Sequence, residues 1–272
     1  MDIERGFVKT SKGHIHYRAT GSGDCVMLFH INQQSSALYL ELLQALGPRY
    51  RAIAIDYPSY GMSDHVDWQP TMEGYAELVI EVMDALGIAK SYLLGEAVGA
   101  MVATAVAALH PDRVEKIMLL NCPYIPLADR KDKPGGVDES MRPVDETGFP
   151  MTRTIEFVLE HDPLHAPLNP SQSWMDRINE AQILTGRSRW QAYDAVWTFD
   201  FGARLQALKC PVMVVIGEHF YFLKYKDELI SKINDLHFEV LSGGRFCIGW
   251  EFSEEIGKKA IGFFAPRLQI TG

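Results

Sequence analysis

The chain has 272 residues, 47% of them hydrophobic and 22% charged. That length suits one large domain, or a domain with an insertion, and allows a sizeable core. The formal net charge of −9 argues against nucleic acid or an anionic membrane as main partner and says nothing positive about a ligand.

The opening MDIERGFVKTSKGHIHY lacks the apolar run of a signal peptide. No apolar window is long enough to span a bilayer, so a cytoplasmic location is expected. GFVKT and HIHYRATG read as an opening hairpin, and CVMLFH (25–30) and YRAIAIDYP (50–58) as short buried strands. TMEGYAELVIEVMDALG (71–87) has apolar residues at helical spacing and ends on Gly87, a plausible C-cap. A strand at SYLLG (91–95), an apolar helix over 97–109 and a strand at VEKIMLLN (114–121) follow. Past residue 205 come a strand in CPVMVVIGE (210–218), a helix in KDELISKIN, a strand in HFEVL and a closing helix in SEEIGKKAIGFF. Short buried strands alternating with helices predict a mainly parallel sheet covered on both faces.

Residues 122–205 behave differently. A polar segment, LADRKDKPGGVDESMRPVDETGFP, reads as a mobile loop. Helical stretches follow at MTRTIEFVLEH and about 172–198, the latter with Trp174, Trp190 and Trp197. A helical, aromatic-rich insertion between core strands predicts a cap over the sheet ends. Cys25, Cys122, Cys210 and Cys247 are widely spaced and match neither a zinc site nor a disulfide framework. They read as small buried residues in a reducing compartment, and no metal or cofactor is expected.

Four segments in order carry a resemblance to the α/β-hydrolase superfamily that covers nearly the whole chain. They are VMLFHINQQSS, where that family builds half an oxyanion hole, and AIDYPSYGMSD (54–64), with Ser59 in place of a glycine. The third is GEAVGA, the nucleophile elbow, and the fourth is the pair LKCPVMVVIGEHF and VLSGGRF, which deliver acid and histidine. The resemblance implies a mostly parallel, twisted sheet of about eight strands with helices on both faces. It also implies a core of residues 1–121 and 206–272, with a helical cap at 122–205 after the sixth strand.

The family's usual reaction needs a serine, a histidine that activates it and an acid that orients the histidine. The resemblance places these on Ala97, Arg245 and Phe220, so all three triad positions are substituted. A serine changed to alanine to trap a substrate accounts for Ala97 but not for the other two.

Polar groups expected at the carboxyl ends of the strands are His30, Asn32, Gln33, Asp56, Glu96, Asn121, His219 and Arg245. Asp56 reads as a tie for the following turn, and His30 as a brace for the oxyanion loop or an acid/base. Glu96 opens a helix, where the macrodipole favours negative charge; it reads as a structural acid or a general base. His219 is a displaced acid/base or a loop histidine. Arg245 needs a partner if buried, either Glu96 or a ligand anion. Asn32, Gln33, Ala97, Val98, Asn121, Arg245 and Trp250 are the expected ligand contacts. Two functions stay open: an enzyme acting on a small, partly apolar carbonyl or carboxylate compound by lyase-, isomerase- or decarboxylase-like chemistry or atypical hydrolysis, and a non-catalytic receptor on a retired hydrolase pocket. A small molecule is the expected partner in both, and oligomeric state is left open.

Overall fold

The computed structural model describes residues 2–129, 145–146, 148, 152–186, 188 and 191–266. β1 (Glu4–Thr10) and β2 (Gly13–Thr20) form the opening hairpin, followed by β3 (Cys25–Phe29), α1 (Leu40–Leu46), β4 (Arg51–Ile55) and α2 (Met72–Ala85). Then come β5 (Ser91–Glu96), α3 (Val98–Leu109) and β6 (Val114–Leu120). Among the described residues α4 (Ile155–His161), α5 (Gln172–Thr185), α6 (Gln191–Thr198) and α7 (Phe201–Gln206) precede the next strand. The chain finishes with β7 (Val212–Gly217), α8 (Lys226–Ser231), β8 (Leu236–Leu241), α9 (Ile248–Glu251) and α10 (Ser253–Phe264).

The strands form one sheet in the order β1-β2-β4-β3-β5-β6-β7-β8. It is antiparallel at β1/β2 and β2/β4 and parallel from β4 onward. The expected mostly parallel sheet of about eight strands is therefore present. Strand alternation explains its two covered faces. Met27 and Phe29 of β3 enter one core with Ile53, Ile55, Val212 and Val214, while Val26 and Leu28 enter another with Ala52, Ala54, Met213 and Val215. α2 and α3 pack together, as do α1 and α10. α3 is buried from Val98 to Ala107, which explains why it reads as apolar all round.

Sequence reading placed no helix near residues 36–46. Leu38, Leu42, Leu43 and Leu46 are all buried there at helical spacing, and Ser35 Oγ accepts from Ala37 N–H at the start of the preceding 3₁₀ turn. The polar loop foreseen after β6 falls mostly on residues 130–144, 147 and 149–151, and Trp190 joins it outside the described residues.

β3 sits between β4 and β5, so the chain leaves it first toward one side of the sheet and later toward the other. Ligands of open α/β sheets bind at such a switch point, beyond the carboxyl ends of the strands. The helices between β6 and β7 meet loops at those ends. Ala192 N–H donates to the Tyr60 hydroxyl at 3.3 Å, the Gln191 amide reaches Trp68 O, and Arg177 grips Glu41 with two bonds of 2.8 and 2.6 Å.

Candidate functional site

The elbow is built by close backbone approach. A Cβ on Gly95 would lie 2.1 Å from Gly99 O, and one on Gly99 would lie 1.9 Å from Phe29 O. Only glycine lets β5 turn this tightly into α3 against β3. Between them Ala97 takes φ 51° and ψ −112°, a backbone that an L-residue holds only at a cost of roughly 1–3 kcal/mol. Its N–H donates to Leu120 O at 3.0 Å, which ties the strained residue to β6.

Above Ala97 lies a cavity of about 500 Å³. Ile31, Asn32, Gln33, Gln34, Ala97, Val98 and Met101 line it from the sheet side, and Phe220, Phe222 and Phe246 from the later loops. Trp174, Ile178, Gln182, Tyr193 and Trp197 line it from α5 and α6, with Arg153, His161, Asp162 and His165 from around α4. A second depression of about 540 Å³, between Thr152–Phe157 and α5, takes no lining residue from the strand ends.

Asn32, Gln33, Ala97 and Val98 of the expected ligand contacts thus share one cavity, and Phe220 joins them. Asn121, Arg245 and Trp250 are not among its lining residues, and each has a physical reason. Asn121, at φ 43°, is a hub: its Oδ1 accepts from Gly217 N–H at 2.9 Å. Its Nδ2 faces Glu96 Oε1 at 3.0 Å, Arg245 O at 2.7 Å and Phe246 O at 2.8 Å. The Arg245 guanidinium donates to Pro163 O at 3.1 Å, so of the two partners foreseen for it, Glu96 or a ligand anion, the pair with Glu96 does not form. Trp250 packs edge-on against Trp174, with the Arg177 guanidinium 4.4 Å over its ring.

The three expected acid/base groups also lie outside the cavity lining. Glu96 is fully buried beneath the elbow, receiving Asn121 Nδ2 and Ile248 N–H on Oε1 and Gly249 N–H on Oε2, at 3.0, 2.9 and 3.1 Å. Burial pushes its carboxyl up to about 8 while these hydrogen bonds pull downward. His30 is spent on backbone: Nδ1 meets Ile31 O at 2.7 Å and Nε2 accepts from Tyr57 N–H at 3.4 Å. These partners set the Nδ1–H tautomer, and burial lowers the pKa of the ring. His219 is exposed, and its backbone N–H donates to Gly244 O at 2.9 Å.

Asp56 is buried and ties down its turn, accepting from His16 Nδ1 at 2.8 Å and Met62 N–H at 2.9 Å. Burial opposes its ionisation, but the His16 hydrogen bond, the flanking His30 and His16 rings and the Met62 N–H outweigh it and hold the carboxyl below its ordinary value. Ser59 takes φ 69° at the position where the resemblance expects glycine, and its Oγ accepts from Val66 N–H at 3.1 Å. Burial raises the thiols of Cys25 and Cys210 to about 11 and that of Cys122 further. Among the described residues no three His, Cys, Asp or Glu side chains converge as metal ligands would, and no helix is long and apolar enough to cross a membrane.

Beyond Asn32 and Gln33, sequence reasoning missed further polar groups that line the cavity. The Asp162 carboxylate is hydrogen-bonded to His165 Nδ1, with Arg153 Nη1 3.8 Å from its second oxygen. The His165 ring is fixed edge-on between Tyr221, at 5.5 Å, and Phe246, at 4.8 Å. Gln182 follows Trp174 and Ile178 at four-residue spacing on the buried face of α5. That spacing was readable from the sequence; the approach of His165 to Asp162 depends on the 3₁₀ turn at Pro163–His165 and was not.

A family model described as alpha/beta hydrolase fold matches residues 24–251. Haloalkane dehalogenase 2 of Mycobacterium tuberculosis is 33% identical over 129 residues, 46% of this chain and 44% of the relative. The match therefore spans under half the length of that dehalogenase. A 2-hydroxy-6-oxo-6-phenylhexa-2,4-dienoate hydrolase of Comamonas testosteroni is 26% identical over 93% of this chain and 92% of its own. Among solved structures, an enol-lactonase from Burkholderia xenovorans superposes with a TM-score of 0.76 at 19% identity, covering 95% of this chain and 99% of that one.

Proposed function

We propose, from the premise that this chain belongs to the alpha/beta hydrolase fold family, that its elbow cavity takes up a small, partly apolar carbonyl or carboxylate compound and acts on it by a route other than serine hydrolysis. The observation that carries this reading is the methyl of Ala97 lining the cavity where the elbow presents its nucleophile. Phe220 and Arg245 stand where acid and histidine are expected, and the Arg245 side chain is committed to Pro163 O. A lone serine-to-alanine change accounts for one of these three residues only.

The cavity has the apolar walls and few polar groups of a small-molecule site. α5 and α6, from the stretch expected to form a cap, supply much of its lining. The Comamonas relative is named as the hydrolase of an aryl-bearing hydroxy-oxo-dienoate, a substrate of this chemical kind. In place of a sheet-borne triad, the Asp162–His165 pair offers an acid/base within the cavity, lyase- or isomerase-like in use. Four cysteines without a disulfide among them fit a reducing, cytoplasmic setting.

The second reading, a non-catalytic receptor, draws on the full engagement of Glu96 and His30 by structural partners. Ala97→Ser tests the central negative claim. The variant and the parent are expected to turn over p-nitrophenyl acetate no faster than buffer, because Arg245, committed to Pro163 O, stands at the position from which the family's histidine activates the serine. Purified parent protein that hydrolyses the ester in multiple turnovers would overturn the reading. Variants of His165 separate enzyme from receptor.

A further inference from the structure

β8 closes one end of the sheet and, among the described residues, pairs only with β7. Val212 N–H donates to Asp235 O and Glu218 N–H to Leu241 O, each at 2.9 Å. Along a strand, successive residues present their N–H and C=O groups to alternate sides. His237 and Glu239, in step with Asp235 and Leu241, therefore face β7, and Leu236, Phe238 and Val240 present theirs at the open edge.

Free edges are commonly blunted by lysine, proline or a bulge. β1, at the other end of the sheet, carries Arg5 and Lys9. β8 reads LHFEVL, without lysine or proline, and keeps one unbroken register with β7. Its Val240 is 45% exposed. The polar side chains share one face of the strand and satisfy each other. His237 Nε2 meets Glu239 Oε1 at 2.7 Å, and Lys259 Nζ of α10 donates to Glu239 Oε2 at 2.5 Å.

We infer that this edge pairs antiparallel with the same edge of a second copy of the chain, about a two-fold axis at Phe238. The strand is self-complementary in that register. Phe238 stands opposite itself and Leu236 opposite Val240, all with outward groups, so each pair exchanges two N–H···O bonds. His237 stands opposite Glu239 of the second copy on both sides of the axis, at the closely spaced positions where opposite charges attract. A two-fold at Glu239 would set that carboxylate against its own copy. One at His237 would set Glu239 against Asp235, and like charges directly opposite are destabilising. On the other face of the sheet, Phe238 and Val240 supply the apolar contact. The two copies then share one continuous sheet through an isologous contact, small enough to be reversible.

Sedimentation velocity of the full chain, from micromolar to millimolar concentration, should show the mean mass rising from one chain toward two. Hydrogen exchange followed by NMR reads the register. The amides of Leu236, Phe238 and Val240 should slow as concentration rises, whereas those of His237 and Glu239, already bonded to β7, should not change. His237→Glu sets carboxylates opposite each other twice and should raise the dissociation constant about tenfold or more. Phe238→Pro removes an outward N–H that the single chain does not use and should weaken the dimer by a similar factor. A chain that stays monomeric throughout overturns the inference. So does a dimer whose three outward amides exchange as fast as in dilute solution, or one that either folded variant leaves intact. If a variant fails to fold, the exchange pattern of the parent decides alone.

Discussion

Gly249 N–H donates to Glu96 Oε2 at 3.1 Å, and a Cβ on Gly249 would lie 2.7 Å from the same oxygen. The carboxylate and the glycine thus fit each other, joining the end of β5 to the start of α9. Glu96→Ala would strand the buried Ile248 and Gly249 N–H groups, each worth about 1–3 kcal/mol when left unsatisfied, while Asn121 Nδ2 keeps Arg245 O and Phe246 O, so a loss of roughly 2 kcal/mol or more is expected. Gly249→Ala should lose about 1–3 kcal/mol by overpacking. Urea denaturation measures both, and neither should alter the affinity of cavity ligands. A Glu96→Ala protein as stable as the parent but without activity would return Glu96 to a catalytic role.

That pair also marks the limit of what was legible in the sequence. The strands, α2, α3 and the elbow glycines could be read because alternation, helical spacing and close backbone approach are local properties. The destination of Glu96 was not, because Ile248 and Gly249 lie about 150 positions away and the glycine presents nothing but an N–H. Arg245 misled for a related reason. Its expected target was chosen from the family's geometry, whereas its nearest acceptor, Pro163 O, belongs to a segment whose path no periodicity encodes. His165 and Asp162 sit in that same segment.

Glu96 should also shape stability against pH. Its native carboxyl titrates at about 8 against an ordinary value of 4.5, so between those values the native state holds a proton that the unfolded chain has released. The contribution is complete below about 4.5, declines as pH rises, and is gone above about 8; its size is a few kcal/mol. Glu96→Gln removes this titration, although its NH₂ opposes Gly249 N–H and lowers stability overall. The parent's advantage over the variant should be largest near pH 5 and shrink toward pH 8.5. A difference that stays constant across that range refutes the assignment.

Asp56 carries the opposite sign. Its native carboxyl is held below the ordinary 3.8, so its contribution is present above that value and is lost as pH falls through the native titration. Asp56→Asn sets its NH₂ against either Ser36 N–H or the pair His16 Nδ1 and Met62 N–H. It should be destabilised by roughly 1–3 kcal/mol at neutral pH, with a gap to the parent that narrows in acid. Acid unfolding followed by circular dichroism checks both the gap and its narrowing.

The backbone of Ala97 offers a test without a ligand. At φ 51° and ψ −112° glycine carries no Cβ penalty, so Ala97→Gly should relieve part of a strain of roughly 1–3 kcal/mol, offset by up to about 1 kcal/mol of extra unfolded-state entropy. The net expectation is a variant at least as stable as the parent by thermal unfolding. A loss above about 1 kcal/mol would mean that the methyl contributes packing that outweighs the strain.

His165 and Asp162 decide between enzyme and receptor. The imidazole is oriented by the carboxylate through Nδ1 and fixed between Tyr221 and Phe246, which leaves Nε2 as the nitrogen available to a ligand. A positioned acid/base of this kind contributes about 10²–10⁴-fold to a rate. Once a turned-over compound is in hand, His165→Ala should reduce kcat by that factor with little change in ligand affinity. Asp162→Asn should reduce it less, because the amide oxygen can still hold the ring through Nδ1. If His165→Ala leaves kcat unchanged, proton transfer in the cavity belongs to another group. If no compound that saturates the cavity is ever converted, by parent or variant, the receptor reading prevails.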